Sequence, residues 1–111
     1  MLNTAEARYC VVYVTCRSVV EAEIIAAGVV GEKLAACVNI IPGITSFYFW
    51  QGAMQKDSEC LMVIKTTIQR LPELEARVRA LHSYTVPEFI AIPVIAGSKD
   101  YLVWLDENTV L

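Results

Sequence analysis

The residues of this chain best suited to metal chemistry are a single histidine, His82, and four cysteines. Copper accepts imidazole and thiolate ligands, and Cu(I) favours soft sulfur. We therefore take His82 and Cys37 as candidate metal ligands. Cys37 stands where the first predicted helix meets the second predicted strand. A second interpretation of Cys37 stays open, in which it is a small buried residue at this junction with no metal chemistry.

A further group of charged and aromatic residues has the composition of a polar pocket. Lys65 interrupts an otherwise apolar predicted strand, and a lone lysine there either reaches water at an edge or pairs with a carboxylate. The predicted pocket lies at a junction between subunits and contains Trp50, Glu59, Lys65, Tyr84, Glu88 and Trp104. The alternative is an ion pair across the subunit interface that fixes the register of the assembly.

Known catalytic motifs are missing from the sequence. It contains no GxSxG, no HExxH and no glycine-rich phosphate loop. We therefore expect a protein that is not an enzyme and requires no cofactor, with copper or another divalent cation as a candidate ligand. The net charge of −3 offers no basic surface to a phosphate backbone, so we expect no nucleic-acid partner.

The cysteines and the apolar segments bear on the compartment. Cys10, Cys16, Cys37 and Cys60 show no CxxC spacing, which favours free thiols in a reducing space. The first ten residues lack the apolar core of a secretory signal. The apolar run at residues 24–31 is shorter than the ~20 residues that span a bilayer. The sequence thus predicts a cytoplasmic protein with no membrane partner.

The hydrophobic pattern predicts the elements that must position these residues. Strands are expected at residues 8–15, 38–50, 60–67 and 88–94, and helices at residues 18–36, at residues 69–81 and after Ser98. The order βαββαβ with a short C-terminal helix predicts a single domain over residues 1–111, of the α+β class and the ferredoxin-like arrangement. Its four-stranded antiparallel sheet would carry two helices on one face.

The second predicted strand is apolar on both sides. If the Pro42–Gly43 pair does not change the register, one side carries Val38, Ile40, Ile44 and Tyr48 and the other carries Ile41, Phe47 and Phe49. Two helices cover only one face of a sheet, so the other face needs a cover. Because 56% of the 111 residues are hydrophobic, we expect further copies of the chain to provide it. The alternative is an unusually apolar monomer.

Four segments, taken together and in this order, resemble the CutA family of divalent-cation tolerance proteins. They are EKLAACVNIIPGITSFYFWQG at residues 32–52, IKT at 64–66, HSYTVPE at 82–88 and YLVWL at 101–105. The resemblance covers nearly the whole chain and implies a ferredoxin-like subunit with a long hairpin of the second and third strands, assembled as a homotrimer. It also implies a role in the response to divalent metal ions, copper being the metal most often mentioned.

The metal ligands that the resemblance implies are only partly present. Family members with copper sites carry a His-His pair where this chain has Leu81, His82 and Ser83, and a first-strand cysteine where it has Val14. Any copper site is therefore expected to be weak and to depend on His82. The alternative function, by analogy with PII-type signalling trimers, is a sensor that binds a small metabolite in clefts between subunits.

Overall fold

The computed structural model describes residues 7–110, whose strands and helices follow the predicted order. The strands are β1 (Tyr9–Cys16), β2 (Cys37–Trp50), β3 (Ala53–Thr67) and β4 (Ile90–Pro93), and the α-helices are α1 (Val19–Gly31), α2 (Leu71–Leu81) and α3 (Lys99–Glu107). The strands form one antiparallel sheet in the order β2-β3-β1-β4. The predicted α+β, ferredoxin-like fold with a short C-terminal helix is confirmed.

The core lies between one face of the sheet and the helices α1 and α2. Alternate residues of β1 and β3 point into it, because successive strand residues face opposite sides. The core residues are Cys10, Val12, Val14 and Cys16 of β1, Met62 and Ile64 of β3, Ala22, Ile25 and Val29 of α1, and Leu74 and Val78 of α2. Any polar group that joins this dry layer needs a partner within the protein.

Helix α1 begins where predicted but ends earlier than residue 36. The side chain of Ser18 accepts a hydrogen bond from the N–H of Glu21 at 3.2 Å, which caps the first turn. At the other end Lys33 has a positive φ of 58°, and the N–H of Leu34 donates to the carbonyl oxygen of Val29 at 2.9 Å. This left-handed reversal ends the helix. Residues 34–36 are buried as the approach to β2, which explains their helix-like apolar character.

The β2–β3 hairpin is longer on its β3 side than predicted. We expected a turn over residues 51–57 and a strand from residue 60, whereas β3 begins at Ala53. Only Gln51 and Gly52 connect the strands, both with positive φ (52° and 80°), as a two-residue type I′ turn requires. The hairpin therefore forms an extended arm with exposed apolar side chains.

A bulge at the Pro42–Gly43 pair changes the register of β2. Ile41 pairs with Leu61 whereas Ile44 pairs with Glu59, so β2 holds one extra residue at this point. Residues beyond the bulge therefore point to the side opposite to the one that uninterrupted alternation assigns to them. The predicted face made of Val38, Ile40, Ile44 and Tyr48 is wrong for this reason.

Helix α3 covers part of the sheet face that α1 and α2 leave open. The side chain of Tyr9 lies on that face, and its hydroxyl donates to Asp106 at 2.6 Å. Leu105 of the same helix is buried. The expectation that the helices of the chain cover only one face is therefore wrong in part, and α3 leaves the β2–β3 arm uncovered.

The remaining boundaries differ from the prediction by a few residues. Helix α2 starts at Leu71 rather than residue 69, because Ile68–Arg70 forms a separate 3₁₀ turn. Strand β4 is shorter than residues 88–94 and lies at the edge next to β1, where Pro93 ends it without breaking an interior ladder. Within residues 7–110, every helix is too short or too polar to cross a bilayer.

Candidate functional site

The candidate metal site lies where the ends of β1, α1 and α2 meet. Cys16 is the last residue of β1, Glu21 lies in the first turn of α1, and His82 directly follows α2. Their ligand atoms all lie within 4.8 Å of one another. The Sγ of Cys16 is 3.7 Å from Nε2 of His82, and Oε1 of Glu21 is 3.3 Å from Nδ1 of the same ring.

Backbone groups hold both ring nitrogens of His82. Nε2 donates to the carbonyl oxygen of Thr15 at 2.8 Å, and Nδ1 accepts from the N–H of Tyr84 at 3.0 Å. This pairing fits the neutral ring with its proton on Nε2. Ser83 holds the neighbouring carboxylate of Glu21 through its N–H and its hydroxyl, each at 2.9 Å. The imidazole and the carboxylate are thus positioned by the loop that follows α2.

Sulfur atoms form the buried side of this site. Cys16 and Met62 are inaccessible to solvent, and the Sγ of Cys16 lies 3.4 Å from the Sδ of Met62. Burial raises the pKa of the Cys16 thiol to about 12, with a smaller contribution from the negative charge of Glu21. The thiol is therefore protonated at neutral pH, which makes it a poor nucleophile.

The donor set fits a soft or borderline metal ion. Cys16 and His82 would hold the ion, which would take the place of the thiol proton. To bind through Nε2, the neutral ring would carry its proton on Nδ1 instead, where Oε1 of Glu21, 3.3 Å away, can accept it. The sulfur of Met62 next to Cys16 favours Cu(I), because thioether and thiolate are soft ligands. An ion bound there would neutralise the charge of the thiolate.

The structure does not bring Cys37 to His82. Cys37 pairs with Lys65 across the β2–β3 ladder, and the Nζ of Lys65 lies 4.0 Å from its Sγ. Lys65 also donates to the side-chain oxygen of Asn39. Burial raises the pKa of nearby Tyr101, and so does Cys37. The two candidate ligands predicted from the sequence, His82 and Cys37, therefore do not share one site within a single chain.

A cleft of about 640 Å³ lies between the β2–β3 arm and the loop after α2. Four of the six residues predicted for a pocket line it: Trp50, Glu59, Tyr84 and Glu88. Glu59 is only 6% exposed, and its Oε2 accepts a hydrogen bond from the hydroxyl of Tyr84 at 2.7 Å. Burial and this hydrogen bond to Glu59 raise the pKa of the Tyr84 hydroxyl.

Two residues predicted for this pocket lie elsewhere. Lys65 faces Cys37 and Asn39, as described above, and an ion pair with Glu88 is not formed within the chain. Trp104 packs against Tyr101 on α3, with ring centroids 5.4 Å apart. Lys65 was predicted to line the pocket because it interrupts an apolar strand. Strand β3 instead places it on the sheet face that α3 partly covers.

Sequence reasoning assigned no ligand role to Cys16 and Glu21. The signal for Cys16 was its parity, because it continues the buried alternation of Cys10, Val12 and Val14 to the end of β1. Glu21 was recognised only as a residue of the capped first turn. Its approach to His82 depends on the hydrogen bonds that it accepts from Ser83, 62 positions further along the chain, and periodicity does not show such a contact.

Comparisons with known proteins agree with this architecture. The profile of the CutA1 divalent ion tolerance protein family matches residues 10–108. The chain is 52% identical over 99 residues to the divalent-cation tolerance protein CutA of Thermus thermophilus, covering 89% of this chain and 96% of that protein. It is 48% identical over 97 residues to the protein CutA of Homo sapiens, covering 87% of this chain but only 54% of that protein.

Solved structures show the same likeness. The crystal structure of CutA1 from Oryza sativa has a TM-score of 0.91 at 45% identity, covering 94% of this chain and 95% of that one. The structure from Thermus thermophilus has a TM-score of 0.90 at 51% identity, covering 92% and 99% of the two chains. The chain spans about half the length of the plant and mammalian relatives that it matches. With the profile match, these similarities show that the chain belongs to the CutA1 family of divalent ion tolerance proteins.

Proposed function

We propose that this protein is a homotrimer that responds to metal ions by binding a soft or borderline cation, copper above all, at Cys16, Glu21 and His82. The observation that carries the proposal is the convergence of a thiol, a carboxylate and an imidazole within 4.8 Å. The family to which the chain belongs takes its name from tolerance of divalent cations. Because both ring nitrogens of His82 already have backbone partners, we expect the affinity to be modest.

The proposed role is binding rather than catalysis. A thiol that served as a nucleophile would need a lowered pKa, whereas the pKa of the buried Cys16 thiol is raised to about 12. The four cysteines are free, which suits a reducing compartment such as the cytoplasm. The protein would need no cofactor besides the metal ion that it senses.

The arm and the sheet edges support the proposed trimer. The β2–β3 arm exposes large apolar side chains, among them Phe47, Phe49 and Met54 at 64%, 74% and 66%. Strands β2 and β4 form the two edges of the sheet. If β4 of one copy paired with β2 of the next, both edges would be satisfied and three such contacts would close a ring. Apolar patches of this kind mark interaction surfaces.

Copper titration with matched cysteine variants tests the metal site. We expect Cu(I), titrated anaerobically against a colorimetric chelator, to bind the wild type and to bind Cys16→Ser at least tenfold more weakly, since the serine keeps the shape but loses the soft sulfur. His82→Gln should weaken binding similarly. Cys37→Ser is the matched control and should bind as the wild type does.

The outcomes separate the two cysteines. Equal loss of affinity in Cys37→Ser and Cys16→Ser would contradict the single-chain site and return Cys37 to the ligand set. Unchanged affinity in both Cys16→Ser and His82→Gln would reject the site. Far-ultraviolet circular dichroism of each variant shows whether its fold is retained.

The cleft supports a second candidate function, in which the trimer senses a small molecule. Its volume lies within the range of ligand pockets, and a buried carboxylate lies in its wall. A thermal-shift comparison separates the two candidates. A metabolite that raises the melting temperature of both the wild type and Cys16→Ser would favour the cleft, whereas stabilisation by copper alone, lost in Cys16→Ser, would favour the metal site.

A further inference from the structure

The cleft between the arm and the loop after α2 has a one-sided electrostatic character. Its wall contains two carboxylates, Glu59 and Glu88, and none of its lining residues is a lysine, an arginine or a histidine. The remaining wall consists of four aromatic rings, one valine and a few serine and threonine hydroxyl groups. The rings belong to Phe47, Tyr48, Trp50 and Tyr84. Such a cleft attracts cations and repels anions.

Glu59 is the feature of the cleft that most needs a partner. Its side chain is only 6% exposed, and one phenol, that of Tyr84, donates to it. Among residues 7–110, no lysine, arginine or histidine nitrogen lies within 4.0 Å of its carboxylate. A largely buried carboxylate with one hydrogen bond and no nearby cation keeps acceptor sites free for a ligand in the cleft.

The two phenol hydroxyl groups of the cleft offer acceptors rather than donors. The proton of Tyr84 is used by Glu59, and the proton of Tyr48 is used by Asp57, so both phenol oxygens remain free to accept. Glu88 adds a second carboxylate whose pKa is raised by burial and by the charge of Glu59. A ligand that carries positive charge and several N–H donors would complement these carboxylates and phenol oxygens.

We propose that this cleft binds a small molecule that carries a primary ammonium group. The ammonium would donate to Glu59 and the phenol oxygens, and the carbon chain would lie against the ring of Trp50. This inference rests on the cleft as the second candidate function above and does not depend on the metal site. It specifies the chemistry of the ligand, which that candidate left open.

The test compares a diamine with its neutral analogue. The probe is 1,4-diaminobutane, whose two ammonium groups match the two carboxylates, and the control ligand is 1,4-butanediol, which has the same chain without charge. Isothermal titration of the full-length protein should detect the diamine and not the diol. Raising the salt from 50 to 500 mM should weaken binding several-fold, since the attraction is electrostatic.

Isosteric variants locate the binding site. Glu59→Gln still accepts the Tyr84 hydroxyl but lacks the charge, so we expect at least tenfold weaker diamine binding. Glu88→Gln should weaken diamine binding less, and it takes the place of Glu59→Gln in this test if that variant does not fold. Glu75→Gln, an exposed position on α2 paired with Arg79, makes the same charge change far from the cleft and should leave binding unchanged.

Three results would overturn the proposal: absence of diamine binding to the wild type, equal binding of the diol, or equal affinity in Glu59→Gln and Glu75→Gln. Cu(I) titration of Glu59→Gln, with the method described for the metal site, distinguishes the two proposals. Unchanged copper binding beside lost diamine binding supports two separate sites. Absence of copper binding in both wild type and Glu59→Gln, beside diamine binding that only the variant loses, rejects the metal site and supports the diamine site.

Discussion

At the scale of single residues, the structure assigns different physical roles to side chains that look alike in the sequence. Cys16 and Cys37 both belong to apolar strands, yet the Sγ of Cys16 lies 3.7 Å from Nε2 of His82 and Cys37 lies beside Lys65. Glu59 and Glu88 both line the cleft, and Glu59 is buried while Glu88 is exposed. The residue type alone therefore did not decide which of these side chains belongs to which site.

The carboxyl of Glu88 predicts a pH dependence of stability. Burial, and then the charge of Glu59, raise its pKa in the folded state above the ordinary value of 4.5. At pH values below the unfolded pKa, the group is protonated in both states and its stabilising contribution is complete. As the pH rises through the folded pKa this contribution is lost. Wild type should therefore lose stability relative to Glu88→Gln between pH 4 and pH 7.

Urea denaturation at both pH values measures this difference. The other titratable groups that line the cleft are Glu59, Tyr48 and Tyr84, and they are the same in wild type and variant. The gap between Glu88→Gln and wild type should be larger at pH 7 than at pH 4. A gap that stays constant, or that is larger at pH 4, would contradict the raised pKa.

At the scale of elements, most strands and helices followed from the hydrophobic pattern, and the errors lie at their ends. The pattern failed where backbone conformation overrode side-chain type. Helix α1 ends at Gly31, just before the left-handed Lys33, and the hairpin turns over two residues rather than seven. The bulge at residues 42–43 reverses the facing of the arm, since one inserted residue changes the parity of every residue after it.

The hairpin turn provides a prediction at this scale. Gly52 has a φ of +80° with nothing within 4 Å of the position of an added Cβ. Replacing Gly52 with Ala should therefore act through backbone strain alone and lower the free energy of unfolding by about 1 kcal/mol. Thermal or urea denaturation measures the change.

Gly31→Ala is the matched control for this substitution. Its added Cβ also meets nothing within 4 Å, and Gly31 has no positive φ. Alanine there should be neutral or stabilising by up to about 1 kcal/mol, because it reduces the entropy of the unfolded chain. Equal effects at both glycines would contradict the type I′ turn.

At the scale of the whole molecule, the exposed arm predicts self-association. A 12.3 kDa chain that leaves Phe47, Phe49 and Met54 more than half exposed has an apolar surface that a second copy can cover. Light scattering should give three times the mass of the chain. Phe49→Ser should shift this assembly toward smaller species at micromolar concentration, because burying a phenylalanine is worth about 2–3 kcal/mol.

Val20→Ser is the control for that variant. Val20 is exposed to a similar degree, 69% against 74% for Phe49, but lies on α1 rather than on the arm. It should assemble as the wild type does. A folded wild type with the mass of one chain at micromolar concentration would contradict the proposed trimer, and equal effects of both substitutions would contradict the role of the arm.

The sequence by itself determined the types and the order of the elements, the fold class and the family. These properties rest on local periodicity and on motifs, which a linear chain displays directly. His82 was recognised as a candidate ligand because its segment, residues 82–88, resembles the part of the family that carries the metal-binding histidines.

Only the tertiary structure decided which residues meet. The partners of His82 are Cys16 and Glu21, 66 and 61 positions away, and they reach it because β1 and α2 end, and α1 begins, at one corner of the molecule. Likewise Glu59 and Tyr84 share a cleft while Lys65 faces α3 and Cys37. Such contacts depend on strand register, on one bulge and on the path of one loop, and none of these has a periodic signature in the sequence.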